Sequence, residues 1–257
     1  LQSNFTEDIT MNITFLGTSH GVPSAERYCS CTMIEVGGAT YFIDCGAPLI
    51  DLLIRRGTDL NSIRAIFTTH MHGDHVNGLT AFADLCNWYY KTTSFDVYLT
   101  DERGLTLFPD MIEAVECSKL DTERIRFKLM TSDFIYEDEN IRVTPIPTKH
   151  LAHVGRPSYA YLVEAEDKRV IFTGDMSQKL GLADFPAYPL ENSVDLVISE
   201  MAHFDVCDVE PYLERCKAKQ VLFNHVYTLD KLDRINALDG KFGYRIHTVD
   251  DGDKVVL

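Results

Sequence analysis

The segment Thr69-His70-Met71-His72-Gly73-Asp74-His75 holds three imidazoles and a carboxylate within six consecutive positions. It directly follows residues 63–68, an Ile- and Phe-rich run that reads as a strand. Side chains two apart on an extended segment point the same way, so His70 and His72 can share one cation. Gly73 lets the backbone turn sharply and aims Asp74 and His75 at a second position nearby. A lone histidine in a strand is usually a satisfied side chain. Four donors in six residues argue instead for a metal site. Nitrogen and oxygen donors of this kind suit zinc, and also manganese, iron or nickel.

Each cation in a catalytic site needs three or more protein ligands and a position for water, so this loop cannot close a two-metal site alone. The donors further along the chain are His150, His153, Asp175, His203, His225 and His247. Three of them follow predicted strands that could aim them. His150 follows 143–147, Asp175 follows 170–172 through Thr173-Gly174, and His225 follows 221–223. His153 lies further into a loop and His247 sits within the last strands, which makes both weaker ligands by position.

The elements that must carry these donors alternate along the chain. Residues 13–16, 33–36 and 41–43 read as strands, with Gly37-Gly38 a hairpin turn between the last two. Residues 49–56 read as a helix that Gly57 is placed to end. A helix is expected over 75–90, a strand over 95–99 and a helix over 101–115. Strands at 125–129 and 141–146 flank Glu137-Asp138-Glu139, which reads as a solvated loop. Strands at 159–164, 169–172 and 196–198, a helix near 210–217, and strands at 221–223 and within 245–257 complete the pattern. No period of 20–50 residues repeats and no Pro/Gly/Ser linker divides two cores. The expectation is one mixed α/β domain over 11–257, with residues 1–10 a tag or a disordered tail.

Composition narrows the partners. The chain of 257 residues carries 24 Lys and Arg against 39 Asp and Glu, a formal charge of −15. That balance disfavours broad electrostatic capture of nucleic acid or anionic membranes, although a local basic patch could exist. No apolar run approaches the roughly 18–20 residues of a membrane span. Seven cysteines form no regular framework, which fits free thiols in a reducing cytoplasm.

His70-x-His72-x-Asp74-His75, then His150, then Thr173-Gly174-Asp175, then Asn224-His225 together resemble the metallo-β-lactamase superfamily. The resemblance runs from Met11 to about Leu257. Phe15-Leu16-Gly17-Thr18, Gly21-Val22-Pro23 and Phe42-Ile43-Asp44-Cys45-Gly46 resemble the branch that holds tRNase Z and the cyclic phosphodiesterases. It implies a four-layer αββα sandwich of two mixed sheets flanked by helices. It also implies two divalent metal ions, zinc first among them. On this resemblance His70, His72 and His150 would bind the first metal, and Asp74, His75 and His225 the second. Asp175 would bridge both, and Asp44 would steady the histidine loop.

Two such metals would lower the pKa of a bridging water, giving hydroxide near neutral pH to attack phosphorus or a carbonyl carbon. Asp74 could also orient that nucleophile. Ser199-Glu200-Met201-Ala202-His203 resembles the His-Glu-Ala-Thr segment of tRNase Z in its Glu, with Ser199 replacing the first His. A Glu200–His203 pair could hold an imidazolium over the leaving oxygen; the bland alternative is a capping Glu and a surface His. Arg27 could meet a phosphate, or be an ordinary surface Arg. Cys29-x-Cys31 could hold an extra zinc, but buried free thiols are the commoner fate. Trp88, Tyr89 and Tyr90 could stack on a substrate ring; core packing is the expectation adopted.

The leading functional expectation is a binuclear metal-dependent hydrolase of a small cyclic or nucleotide-like phosphodiester. The alternatives are a tRNA 3′-processing endoribonuclease, a lactonase or β-lactamase, an iron-dependent redox protein, and a non-catalytic scaffold. A small-molecule substrate is expected rather than nucleic acid or membrane, and a homodimer by the base rate for cyclic symmetry.

Overall fold

The computed structural model describes residues 10–116, 118–228 and 230–257, so the expectation of a tag or tail lies, but for Thr10, outside them. The first half opens with β1 (Asn12–Gly17), β2 (Cys31–Val36), β3 (Ala39–Ile43), α1 (Leu49–Arg56), β4 (Ile63–Phe67), α2 (Gly73–Val76) and α3 (Gly78–Trp88). It continues with β5 (Phe95–Leu99), α4 (Gly104–Glu116) and β6 (Ile125–Leu129). The second half holds β7 (Tyr136–Glu137), β8 (Arg142–Pro147), β9 (Tyr159–Ala165), β10 (Lys168–Phe172), α5 (Tyr188–Glu191) and β11 (Val194–Met201). It ends with α6 (Val206–Leu213), β12 (Ala218–Val226), α7 (Asp230–Asn236), β13 (Arg245–Thr248) and β14 (Lys254–Val256).

Two sheets result, ordered β14-β1-β2-β3-β4-β5-β6 and β13-β12-β11-β10-β9-β8-β7. Their central strands are buried on both faces, and alternation sorts each residue to a layer. Tyr41, Ile43, Ala65 and Phe67 of one sheet meet Tyr161, Val163, Phe172, Leu196 and Ile198 of the other between the sheets. Phe42 and Ile66 point the opposite way, onto Leu53, Leu79 and Phe82 of α1 and α3. Val197, Val221 and Phe223 pack outward on Val209 and Leu213 of α6 and Ile235 of α7. The layers are therefore helix, sheet, sheet, helix, as the resemblance implies.

The topology gathers the functional loops at one edge. β3, β4 and β5 are parallel neighbours, as are β10, β11 and β12, so within each sheet their carboxyl ends lie together. Antiparallel β9 brings the end of β8 alongside the end of β10, because Pro147 pairs with Tyr159 and Phe172 with Tyr161. Ligands bind beyond the carboxyl ends of strands in such sheets.

Most elements fall where the sequence places them. The helix Leu49–Arg56 ends at Gly57, whose left-handed φ of 69° lets its N–H reach back to Leu53 and Ile54. Four expectations need correction. The helix over 75–90 is two helices, α2 and α3, divided at Asn77. The helix near 210–217 starts earlier, at Val206, because the Asp208 carboxylate accepts from the Asp205 N–H and caps that end. The aromatic run at the end of α3 is only partly core. Tyr90 packs against the helix layer, whereas Trp88 and Tyr89 are 44% and 61% exposed.

The acidic run is not simply solvated. The Asp138 carboxylate accepts from Tyr41 Oη at 2.6 Å, Tyr136 Oη at 2.7 Å and the N–H groups of Asn140 and Ile141. Burial pushes its pKa up, but these donors outweigh that and hold it below the usual carboxylate value. Asp138→Ala should therefore cost about 2 kcal/mol in urea unfolding at pH 7, because the buried Tyr41 and the half-buried Tyr136 hydroxyls lose their acceptor. A depressed folded pKa confers stability above the unfolded value, lost as pH falls through the folded one. The difference between wild type and variant should accordingly shrink below pH 4. Equal urea midpoints at pH 7 would refute the assignment.

Candidate metal centre

The loop between β4 and α2 carries His70, His72, Asp74 and His75, and Asp44 lies just beyond β3 on the neighbouring strand. Asp44 takes a left-handed φ of 63°, a conformation that folds keep where the surroundings demand it. Its carboxylate accepts from the Thr69 N–H at 2.7 Å, from Thr69 Oγ1 at 2.9 Å and from His75 Nδ1 at 2.7 Å. Because a carboxylate only accepts, His75 carries a proton on Nδ1 and, in the neutral ring that binds metal, presents Nε2 bare. The Thr69 hydroxyl spends its single proton on Asp44, so it accepts from His70 Nδ1 at 3.1 Å, and His70 Nε2 is bare as well. His150 Nδ1 donates to the Met176 carbonyl at 3.1 Å, which leaves its Nε2 bare. The Asp44–Thr69 network thus sets two tautomers and the Met176 carbonyl a third.

Those bare nitrogens converge. His70 Nε2 lies 2.9 Å and His150 Nε2 3.3 Å from His72 Nδ1, with Asp175 Oδ2 at 3.7 Å from His70 and 3.9 Å from His150. A second group forms beside it. His75 Nε2 is 3.2 Å from Asp74 Oδ2 and 3.5 Å from Asp175 Oδ2. His225 Nε2 is 3.4 Å from Asp175 Oδ1 and 3.8 Å from Asp74 Oδ2. Donors around one tetrahedral zinc with bonds near 2.05 Å stand about 3.3 Å apart, so these spacings suit a cation in each group. The buried His75 Nε2 and His225 Nδ1 have no hydrogen-bond partner among the described residues. Burial keeps the pKa values of His70, His72 and His150 low, which favours the neutral form that binds metal. Burial opposes charge on His75 and His225 too, yet the Asp44 and Asp175 carboxylates outweigh it at His75, and Asp175 at His225, raising both. Burial likewise works against the Asp175 anion, but His225 and His75 hold its pKa well below the usual carboxylate range.

Backbone close approach holds the second group in place. A Cβ on Gly46 would lie 1.6 Å from the Asp74 carbonyl oxygen, and Cys45 N–H donates to the His75 carbonyl at 2.7 Å. Gly46→Ala should therefore unfold at least about 3 kcal/mol more easily and bind one metal fewer per chain, read by thermal melting and metal analysis. Normal stability with full metal content would count against this packing account.

Glu200, at the end of β11, is 2% exposed and accepts from the N–H groups of Met176, Ala202 and His203 at 2.7–3.0 Å. It also accepts from His203 Nδ1 at 2.9 Å, leaving Nε2 as the other ring nitrogen. Burial lowers the His203 pKa, but the Glu200 bond outweighs it and the ring is pushed up to about 9. His203 lies against the centre, its Nδ1 3.8 Å from Asp175 and its ring 4.6 Å from that of His150.

Other expected residues fall elsewhere. Arg27 pairs with Asp250 in a cleft that also holds His20, Glu26 and Asp251. His153 lies in the turn after His150 and lines a different cleft with His72. His247 sits in β13, in none of the donor groups among the described residues. Cys31 and Cys45 are buried, Cys29 is half-buried, and none is bridged.

Sequence reading missed two supporting residues. Asp184 accepts from the Lys149 and Ser177 N–H groups, tying the His150 loop to the one after Asp175. Buried Lys231 donates from Nζ to the Met201 and Phe204 carbonyls and so brackets His203. Neither belongs to a motif, and a lone Asp or Lys in a loop or on a helix gives no signal by type.

A family model described as anti-Pycsar protein Apyc1 matches residues 11–203. The chain belongs to the anti-Pycsar protein Apyc1 family. A ribonuclease Z from Crocosphaera subtropica is 30% identical over 184 residues, covering 69% of this chain and 55% of that protein. The chain thus spans about half the length of the curated relatives it matches. The metallo-beta-lactamase fold protein YhfI from Bacillus subtilis superposes with a TM-score of 0.76 at 17% identity, covering 97% of this chain and 100% of that one. The short form of human tRNase Z superposes at 0.68 with 19% identity, covering 95% and 98%. The family's fold here is the metallo-β-lactamase fold. No helix among the described residues is long and apolar enough to cross a membrane.

Proposed function

We propose that the protein is a binuclear metal-dependent hydrolase, a phosphodiesterase of small cyclic or nucleotide-like substrates. The observation that carries this reading is a pair of adjacent donor groups, His70, His72, His150 and Asp175 in one and Asp74, His75 and His225 in the other, with Asp175 within 3.5 Å of both histidines of the second. His70, His72 and His150 would hold one divalent ion, Asp74, His75 and His225 the other, with Asp175 touching both. Zinc suits these donors, with manganese, iron and nickel as alternatives. When bound, two such ions make water acidic enough to supply a nucleophile near neutral pH and neutralise charge on phosphoryl oxygens.

The protein's own groups do the rest. Asp74 orients the attacking water from the side of the second group. As the phosphorus–oxygen bond to the leaving group breaks, His203 gives its Nε2 proton to the departing oxygen. Glu200, bonded at Nδ1, holds the ring and favours its protonated form. Arg27 joins this scheme only by exchanging Asp250 for substrate.

The test is turnover by metal-loaded protein of bis-p-nitrophenyl phosphate and of 2′,3′- and 3′,5′-cyclic nucleotides. Hydrolysis of these supports the reading; cleavage of lactones or esters alone would replace it with carbonyl chemistry. A second reading, RNA 3′ processing, draws on the likeness to ribonuclease Z. The charge of −15 weighs against it. Cleavage of a tRNA precursor in preference to cyclic nucleotides would favour it.

A further inference from the structure

A cleft of about 560 Å³ opens directly from the metal centre, lined by His72, Met71, Arg103, Leu151, His153 and Arg156. Its walls follow from the topology. β5 runs parallel beside β4, so the turn after β5 lies against the histidine loop. Contact there is close, because a Cβ on Gly104 would meet Met71 Cε at 3.2 Å. The opposite wall is the turn that follows His150.

The cationic character of this cleft stands out in an acidic chain. Asp101 accepts from Arg103 Nε at 3.1 Å and Nη2 at 2.9 Å, and lies 3.5 Å from Arg156 Nε. One carboxylate thus orients two guanidinium groups and leaves a net positive charge. The side chains of Arg103 and Arg156 are 59% and 41% exposed. The cleft on the other side of the centre has the reverse polarity. It carries Glu26, Asp250 and Asp251, with Arg27 consumed by Asp250.

We infer that Arg156 and Arg103 form a specificity subsite that binds acceptor oxygens on the substrate outside the scissile phosphate. The inference rests on the phosphodiesterase reading and extends it to what lies beyond the reacting group. Asp101 occupies the Nε and Nη2 edge of Arg103, so Arg156 supplies the recognising guanidinium and Arg103 adds Nη1 and its charge, toward oxygens on a phosphate or on the carbonyl edge of a base. The acidic cleft opposite repels an anionic substrate and sends its remainder to the arginine side.

The experiment compares wild type with Arg156→Gln and Arg103→Gln/Arg156→Gln on three substrates. 3′,5′-Cyclic AMP has no base carbonyl and one phosphate, 3′,5′-cyclic UMP adds two carbonyls, and cyclic di-AMP adds a second phosphate. KM should rise about tenfold more for cyclic UMP, for cyclic di-AMP or for both than for cyclic AMP, with kcat moving less than KM. Selective loss on cyclic di-AMP assigns the oxygens to a second phosphate, and selective loss on cyclic UMP assigns them to the base. Equal changes on all three substrates, or no change on any, overturn the subsite. Wild-type protein that hydrolyses no phosphodiester overturns the hydrolase reading itself, and the subsite falls with it.

Discussion

Asp175→Ala is expected to lose both metals and all measurable turnover in one step. Asp175 approaches both donor groups, with Oδ2 near His70, His150 and His75 and Oδ1 near His225. Its removal deprives each ion of a ligand and leaves the buried His75 and His225 rings without their counter-charge. Losing metal stabilisation of the transition state costs several kcal/mol, on the order of a thousandfold or more in rate. Because Ala also leaves a cavity, Asp175→Asn serves as a second variant that keeps the side chain's shape and removes only its charge. Metal analysis and melting of both variants separate the effects. Either variant retaining two metals and near-normal turnover would remove Asp175 from the centre.

His203→Ala is expected to behave in the opposite way, keeping both metals while turnover falls by about 10²–10⁴-fold. The expected loss depends on the leaving group. A ribose alkoxide needs a proton as it departs, whereas p-nitrophenolate leaves without one. Cyclic nucleotides should therefore suffer far more than bis-p-nitrophenyl phosphate. Metal loss in this variant, or equal losses on the two substrates, would show that His203 is not the proton donor. Glu200→Gln should reproduce part of the effect, since Glu200 holds the ring through Nδ1.

The donor groups are legible in the sequence because side chains able to hold a metal are of few types and here fall at or near strand ends. His70, His72, Asp74 and His75 fall within one loop, and His150, Asp175 and His225 each follow a strand whose composition marks it. The layered fold was legible through strands buried on both faces, and for its full architecture through family resemblance. What escaped was set by contacts distant in sequence. Asp138 reads as part of a charge run until Tyr41, 97 residues away, supplies its donor. Asp101, Arg103 and Arg156 lie in two unremarkable loops, one brought to the histidine loop by parallel β5 beside β4 and the other by the Tyr159 N–H donating to the Thr69 carbonyl. Arg27 reads as a free cation until Asp250 is brought to it from the other end of the chain. Periodicity finds elements and residue type finds ligands, but neither finds a partner across the fold.

The central claim is that two adjacent donor groups sharing Asp175 hold two ions. Metal-stripped protein should be titrated with zinc, and the ions bound per chain counted by native mass spectrometry in wild type and in His225→Ala. The account predicts two ions in wild type and one in the variant, the survivor held by His70, His72 and His150. Wild-type protein that binds a single ion, or a variant that still binds two, would contradict it.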